Sequence, residues 1–450
     1  MNNRELIERD LSVVWHPCTQ MKDHESWPPI PFARGEGVYL EDYEGNRYID
    51  AVSSWWVNLF GHANPRINAA IADQLERVEH VMMAGFTHEP VVQLSERLVA
   101  LTPEPLTRCF YADNGSSGIE AALKMSFHYW RNVGEGERTK FIALSNSYHG
   151  ETLGALAVGD VDLYKKTYSP LLMESIVVEG PDCFHREQGE DWKTHSRRMF
   201  AHMERALERH AHETCAVIVE PLVQCAGQMR MYHPVYLALL REACDRHGVH
   251  LIADEIAVGF GRTGPLFACE QAGISPDFLC LSKGITGGYL PLCAVLTGEA
   301  VYHAFYDEFE TLRAFLHSHS YTGNPLACRA ALATLDIFAE DDVITANRER
   351  AAILRQALAE AFDGHPQVGD VRQHGMVAAV EMCRNGDRRD PFPWQERRGL
   401  RVYRHGLTRG CLLRPLGNTI YFMPPYVITG DEIRHLVAVA REGIDRATAD

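Results

Sequence analysis

Residues 250–288 read HLIADEIAVGFGRTGPLFACEQAGISPDFLCLSKGITGG, and two apolar runs within them end in chemistry: HLIAD closes on Asp254 and DFLCLSK closes on Lys283. Short apolar runs bounded by turn residues are the pattern of buried strands. In open α/β sheets, ligands collect beyond the strand carboxyl ends. An amine on one such end and a carboxylate on another fit a pyridoxal 5'-phosphate site. The lysine would form a Schiff base with the cofactor aldehyde, and the aspartate would keep the pyridine nitrogen protonated. Taken singly, each residue also fits a surface lysine or a turn aspartate, so the rest of the chain has to decide. The same stretch contains G-x-G-x-x-G at Gly259, Gly261 and Gly264. A dinucleotide site does not follow, because Asp254 and Glu255 would face the pyrophosphate and Pro265 stands where a helix should already be running.

Working outward, further strand-like runs occur at Arg108–Asp113, Lys140–Asn146 and Ala216–Pro221, with helical patterns between several of them. That order predicts an α/β fold with a mostly parallel, doubly wound sheet. Asn64 and Pro65 open a helix in which Ile67, Ile71, Leu75 and Val78 share a face expected to lie on the sheet. Beyond Asn324, long helices surround short strands. We divide the chain into an N-terminal segment, 1–60, that joins the small domain, a large cofactor-binding domain, 61–334, and a small C-terminal domain, 335–450. The polar stretch Cys383–Gln395 reads as a linker or as a loop inside that last domain.

Composition excludes several classes. The chain has 450 residues, 46% hydrophobic and 23% charged, enough for a large core. A net charge of −16 without a long basic run argues against nucleic acid. The charged start and the lack of a membrane-length apolar run point to a soluble cytoplasmic protein with no membrane partner. The 12 cysteines lack a C-x-x-C pair and read as reduced, buried thiols, and the 22 histidines form no ligand set, so no metal is expected.

Two loops suit the rest of a cofactor. In ADNGSSGIEAALK, Gly115, Ser116 and Ser117 precede a helix, with Ser117 and Glu120 spaced as a capping box, so free N–H groups could hold a phosphate. In NSYHGETLGAL, Tyr148 follows a strand, where its ring could stack on a flat heterocycle.

Together NGSSGIEAALK, SYHGETLGA, VIVEPLVQCAGQMRMYHP, LSKGITGGYLPL and HSYTGNPLAC resemble the class-III aminotransferases of fold type I, over nearly the whole chain. AVSSWWVNLFGHANP and LLRPLGNTIYFMPPY resemble the biotin-pathway branch of that class. The resemblance implies a seven-stranded sheet, a homodimer with shared sites, and ping-pong amino transfer to 8-amino-7-oxononanoate, with S-adenosylmethionine or lysine as donor. It implies Lys283 as the cofactor-linked amine, Asp254 at the pyridine nitrogen, Gly115, Ser116 and Ser117 at the phosphate, and Tyr148 on the ring. Gln224 would stand near the phenolic oxygen, and Ser320 would reach the neighbouring subunit's phosphate. Trp55 and Trp56 would wall the acceptor chain, and Arg414 would anchor its carboxylate. Cys18 and Glu151 depart from the residues common in adenosylmethionine users, a tyrosine and an aspartate, at positions expected to line the substrate site. A general omega-aminotransferase, or a non-enzymatic relative that binds without turnover, would share parts of this pattern.

Overall fold

The structure, a computed structural model, describes residues 2–449. After an N-terminal helix, Asn3–Val13, comes an antiparallel meander, β1 (Phe32–Glu36), β2 (Tyr39–Asp42) and β3 (Arg47–Ile49). Helices then alternate with β4 (Leu106–Ala112), β5 (Lys140–Leu144), β6 (Ile176–Val178) and β7 (Thr214–Val219). A short hairpin, β8 (Val223–Gln224) and β9 (Arg230–Met231), precedes β10 (His250–Asp254), β11 (Phe278–Leu281) and β12 (Cys293–Gly298).

Seven of these strands form the central sheet in the order β4-β12-β11-β10-β7-β5-β6. β11, β10, β7, β5 and β6 pair in parallel, while β12 runs antiparallel to both β11 and β4. Every residue of β7, β10, β11 and β12 is buried, which is why these strands read as continuous apolar runs and not as alternations. Their side chains divide between two cores: Val217, Val219, Leu251 and Leu279 feed one, while Ala216, Ile218, Ile252 and Cys280 feed the other. Helix Gly115–Asn132 contributes Ile119, Ala122 and Met125 to the second core, and helix Val235–His247 contributes Tyr236, Leu237 and Leu240 to the first. This is the doubly wound α/β arrangement expected from the sequence. The edge strand β6 and the reversed strand β12 had no expectation attached to them.

A second, antiparallel sheet near the C-terminus contains β13 (Val368–His374), β14 (Val377–Met382), β15 (Pro415–Leu416) and β16 (Thr419–Phe422), in the order β13-β14-β16-β15. The N-terminal chain is bonded to this region. Ile49 N donates to Gly410 O at 2.8 Å, Leu412 N to Ile49 O at 2.9 Å, and Met423 N to Ala51 O at 2.8 Å. Residues 383–395 form a loop between β14 and helix Arg398–Thr408, closed on itself by Arg384 N donating to Asp390 O at 2.8 Å.

One expectation needs correction. The helix capped by Asn64 spans Pro65–Leu75, so Val78 lies beyond it, and Leu75 is 57% exposed. Its buried face carries Ile67, Ala70 and Gln74, and it packs on helix Pro325–Glu340 and not on the sheet. Arg66 fixes that pairing through Asp341 at 3.0 Å. No described helix is long and apolar enough to cross a membrane.

Candidate active site

The parallel run β7-β10-β11 delivers three ionisable groups side by side at its carboxyl edge: Glu220 after β7, Asp254 closing β10, and Lys283 two residues after β11. All three line a cavity of about 480 Å³. Lys283 has a left-handed backbone, φ +47°. Its neighbour Ser282 is locked by donating to Leu292 O at 2.6 Å. Burial lowers the Lys283 pKa, while Asp254, Cys225 and Glu220 pull it back up. The amine therefore sits closer to the neutral, reactive form than an exposed lysine does.

Asp254 is buried and bonded to the His149 imidazole, Nδ1 to Oδ2, at 2.7 Å, and its Oδ1 accepts from Ile256 N at 3.1 Å. His149 Nε2 is buried without a partner. Glu220 accepts from Tyr148 N at 2.9 Å and Cys225 N at 3.0 Å. Burial pushes its pKa up to about 7; Asp254 adds to the rise and His149 opposes it.

The cavity extends to the start of helix Gly115–Asn132, but the cap differs from the one expected. Asn114 is the N-cap and its side chain accepts from Ser117 N at 3.1 Å. Ser117 is thereby inside the helix with its N–H taken. Glu120 turns instead to Gly154 N at 2.7 Å and Ala155 N at 3.2 Å. Asparagine caps as well as serine, and placing the cap at Asn114 lets Glu120 tie the helix to the following loop. Gly115 and Ser116 line the cavity. Gly150, at φ +124°, passes so close that a Cβ would fall 2.1 Å from Ser116 Oγ, so only glycine lets the Tyr148 loop approach the helix end.

A second set, the mouth, adjoins the lining residues Tyr148 and Trp56; its members Cys18, Trp55, Glu151 and Arg414 do not themselves line the cavity. Tyr148 lines the cavity, donates to Glu151 Oε1 at 2.9 Å, and meets the Tyr164 ring at 5.4 Å. Burial first, and Glu151 next, push its phenol far up. The Cys18 thiol reaches the same Glu151 oxygen at 4.0 Å and is raised by burial and by Glu151, with Arg414 opposing. Arg414 lies over the Trp55 ring at 4.1 Å, and among the described residues no carboxylate pairs with it. Trp56 lies under Lys283 Nζ, 4.7 Å from the ring centroid, and donates to the Tyr421 hydroxyl at 3.0 Å.

Three residues proposed from the sequence stand apart. Gln224 is buried with its amide donating to Ser145 O at 2.9 Å, and it borders a separate polar cavity. Ser320 is exposed and Ser117 is occupied by its cap. Glu220, Asn114 and Tyr164 went unassigned in the sequence, as did His149. For Glu220 the signal was available: it closes an apolar run just as Asp254 and Lys283 do. His149 is adjacent to Tyr148, but its contact with Asp254 spans 105 positions and has no sequence signature.

An amine of lowered pKa, a carboxylate fixed by an imidazole and a helix start with open N–H groups make a site for imine chemistry on a phosphorylated aldehyde. The wider comparisons agree. The sequence profile of the family described as "Aminotransferase class-III" matches residues 20–442. A Helicobacter pylori protein named adenosylmethionine-8-amino-7-oxononanoate aminotransferase is 48% identical over 450 residues, covering 99% of each chain. The crystal structure of a protein of that name from Methanocaldococcus jannaschii superposes with a TM-score of 0.94 at 37% identity, covering 99% of this chain and 100% of that one. A thermostable omega transaminase from Pseudomonas jessenii gives 0.93 at 27% identity, covering 99% of each. This chain belongs to the class-III aminotransferases.

Proposed function

We propose that the protein transfers an amino group to 8-amino-7-oxononanoate, forming 7,8-diaminononanoate, with pyridoxal 5'-phosphate as cofactor and S-adenosylmethionine as donor. The observation that carries the reading is the end-to-end 48% identity to a relative bearing that name, joined to a lysine and an aspartate on adjacent strand ends in one cavity. The cavity suits the cofactor on physical grounds. It offers an amine for an aldehyde, a fixed carboxylate for a ring nitrogen, and the Gly115 and Ser116 N–H groups for a phosphate, with Gly150 allowing the Tyr148 loop to pack directly against that helix end.

When bound, pyridoxal phosphate supplies an electron sink for a carbanion and carries the amino group between donor and acceptor. The rest is done by the chain. Lys283 would take a proton at Nζ from the substrate carbon and return it to the carbon on the far side of the transferred nitrogen, a task for which a lowered pKa suits it. Asp254, held by His149, offers its carboxylate where a pyridine nitrogen must stay protonated. Arg414 offers a guanidinium fork to the acceptor carboxylate, Trp55 and Trp56 provide its apolar wall, and Glu151 offers an anion to a cationic substrate group. We divide the chain into 1–60 with the small domain, 61–334, and 335–450, supported by the bonds from Ile49 and Ala51 to residues 410–423. We also infer a homodimer in which Ser320 serves the partner's site. The exposed apolar side chains of Tyr306, Phe309, Leu312 and Leu316 support it, and sedimentation of the loaded protein tests it.

The decisive experiment adds S-adenosylmethionine or lysine separately to the pyridoxal-phosphate-loaded protein and follows the visible band, then adds 8-amino-7-oxononanoate and identifies the product by mass. Bleaching by adenosylmethionine, recovery with the acceptor and formation of diaminononanoate are the expected results. Bleaching by lysine alone would reassign the donor and make Cys18 and Glu151 the residues to examine. Turnover of diamines without turnover of 8-amino-7-oxononanoate would favour a general omega-aminotransferase, the second reading, which the Pseudomonas jessenii neighbour supports.

A further inference from the structure

Four consecutive non-glycine residues, Ser53, Ser54, Trp55 and Trp56, have φ of +51°, +47°, +71° and +75°. They form one turn of left-handed helix, closed by Trp56 N donating to Val52 O at 2.8 Å and Val57 N to Ser53 O at 3.0 Å. Single residues visit this region, whereas runs of L-residues do not, because each Cβ crowds the following carbonyl. Something must hold the turn, and both of its tryptophans meet a cation: Trp56 lies under Lys283 and Trp55 under Arg414.

We propose that Asp50 is a positioning residue for the reaction: its carboxylate, through Ser54 and His62, clamps this left-handed turn and so seats Trp56 on Lys283 and Trp55 on Arg414. Asp50 is 1% exposed. Its Oδ2 accepts from Ser54 Oγ at 2.7 Å and is bonded to His62 Nε2 at 3.1 Å, and its Oδ1 accepts from Val52 N at 3.3 Å. His62 Nδ1 lies 3.2 Å from Asn58 Nδ2, so the ring is bonded on one side to Asn58 and on the other to Asp50. One carboxylate thus grips residues before, within and, by way of the imidazole, after the turn. Outside help comes from Ser53 Oγ, which donates to Met423 O at 2.7 Å, and from the fully buried Arg262, which donates to Asn58 O at 2.9 Å and Trp56 O at 3.4 Å. The inference rests on the proposed function for the roles of Lys283 and Arg414 and for the identity of the acceptor.

The test compares Ser54→Ala, Ser54→Gly and Asp50→Asn in the full-length, pyridoxal-phosphate-loaded protein. Alanine removes a clamp bond and keeps the steric penalty. Glycine removes the same bond but adopts the left-handed conformation without it. The first readout is the pH midpoint of the visible band before any substrate is added. A ring face stabilises a charged nitrogen above it, so losing Trp56 lowers the midpoint by roughly half to one pH unit. The second is KM against kcat for 8-amino-7-oxononanoate, with KM about ten-fold higher when Trp55 and Arg414 drift. We expect Ser54→Ala and Asp50→Asn to show both changes and Ser54→Gly to recover both to within about two-fold. A wild-type midpoint and KM in Ser54→Ala, or Ser54→Gly no better than Ser54→Ala, overturns the proposal; if Asp50→Asn does not fold, the Ser54 pair decides alone. A shifted midpoint in Ser54→Ala that Ser54→Gly reverses, in a protein that does not use 8-amino-7-oxononanoate, supports the clamp and counts against the acceptor.

Discussion

The floor of the cavity and its mouth are built by different means. On the floor, Glu220 and Lys283 follow, and Asp254 closes, strands whose residues are all buried, on three neighbouring parallel strands. Their spacing is set by the sheet and they act in a dry setting, where Asp254 raises the pKa of Glu220 and both carboxylates raise that of Lys283. At the mouth, Cys18, Trp55, Glu151 and Arg414 come from four distant stretches of irregular chain. Cys18 and Glu151 are exposed and Trp55 is 40% exposed. The floor therefore tolerates little change, whereas the mouth can be retuned at small cost. Trp56 joins the two, and its left-handed setting costs on the order of 1–2 kcal/mol per residue over the turn, offset by clamp bonds worth about 1 kcal/mol each.

The comparison predicts a gradient of effects. Lys283→Ala should abolish the visible band of the loaded protein and slow amino transfer by about four orders of magnitude, the upper range for a group that moves the reacting proton; an unchanged spectrum would remove Lys283 from the role. Asp254→Asn breaks a buried pair, typically worth ~3–5 kcal/mol, and should slow turnover by at least about two orders at ~1.4 kcal/mol per decade. Near-normal kcat in that variant would take Asp254 out of the mechanism.

Glu220 tests the dryness of the floor through stability. Its folded pKa, about 7, lies above that of a free carboxyl, so the stability it contributes is fully present below the unfolded value of about 4.3 and is lost as pH rises through about 7. Glu220→Gln has no such charge to bury. Its melting temperature relative to wild type should rise between pH 5 and pH 8, with an upper limit of roughly 3 kcal/mol. A pH-independent difference would mean that the floor is wetter than its packing indicates.

Effects at the mouth should be smaller and confined to KM. Arg414→Ala should raise the acceptor KM by about 10- to 100-fold, the worth of a charge-assisted contact, with kcat nearly unchanged. A comparable fall in kcat would tie Arg414 to the floor. Glu151→Gln should change the donor KM by only a few fold, since the group is exposed and screened, and a loss above about a hundred-fold would make it part of the chemistry.

The floor was the legible part. Buried parallel strands leave unbroken apolar runs, and the residue closing each run lands on the carboxyl edge, so Asp254 and Lys283 could be picked out directly and Glu220 by the same rule. The helix cap lies three residues before the position the capping-box spacing predicts, because Asn114 and Ser117 are both good N-caps and the cap at Asn114 frees Glu120 to bond residues 154 and 155. Helix Pro65–Leu75 was assigned to the sheet because a helical period shows that a face is apolar without showing what covers it.

By itself, the sequence determined the doubly wound α/β class, the strand ends that carry the reactive amine and carboxylate, and the family, because each depends on local periodicity or on contiguous motifs. Only the tertiary structure decided that His149 braces Asp254, that Cys18, Glu151 and Arg414 share one mouth, and that two tryptophans are held in a left-handed turn against Lys283 and Arg414. The physical reason is that such contacts join residues tens to hundreds of positions apart, and the backbone of Ser53–Trp56 adopts a conformation its own residues disfavour, so nothing local encodes it.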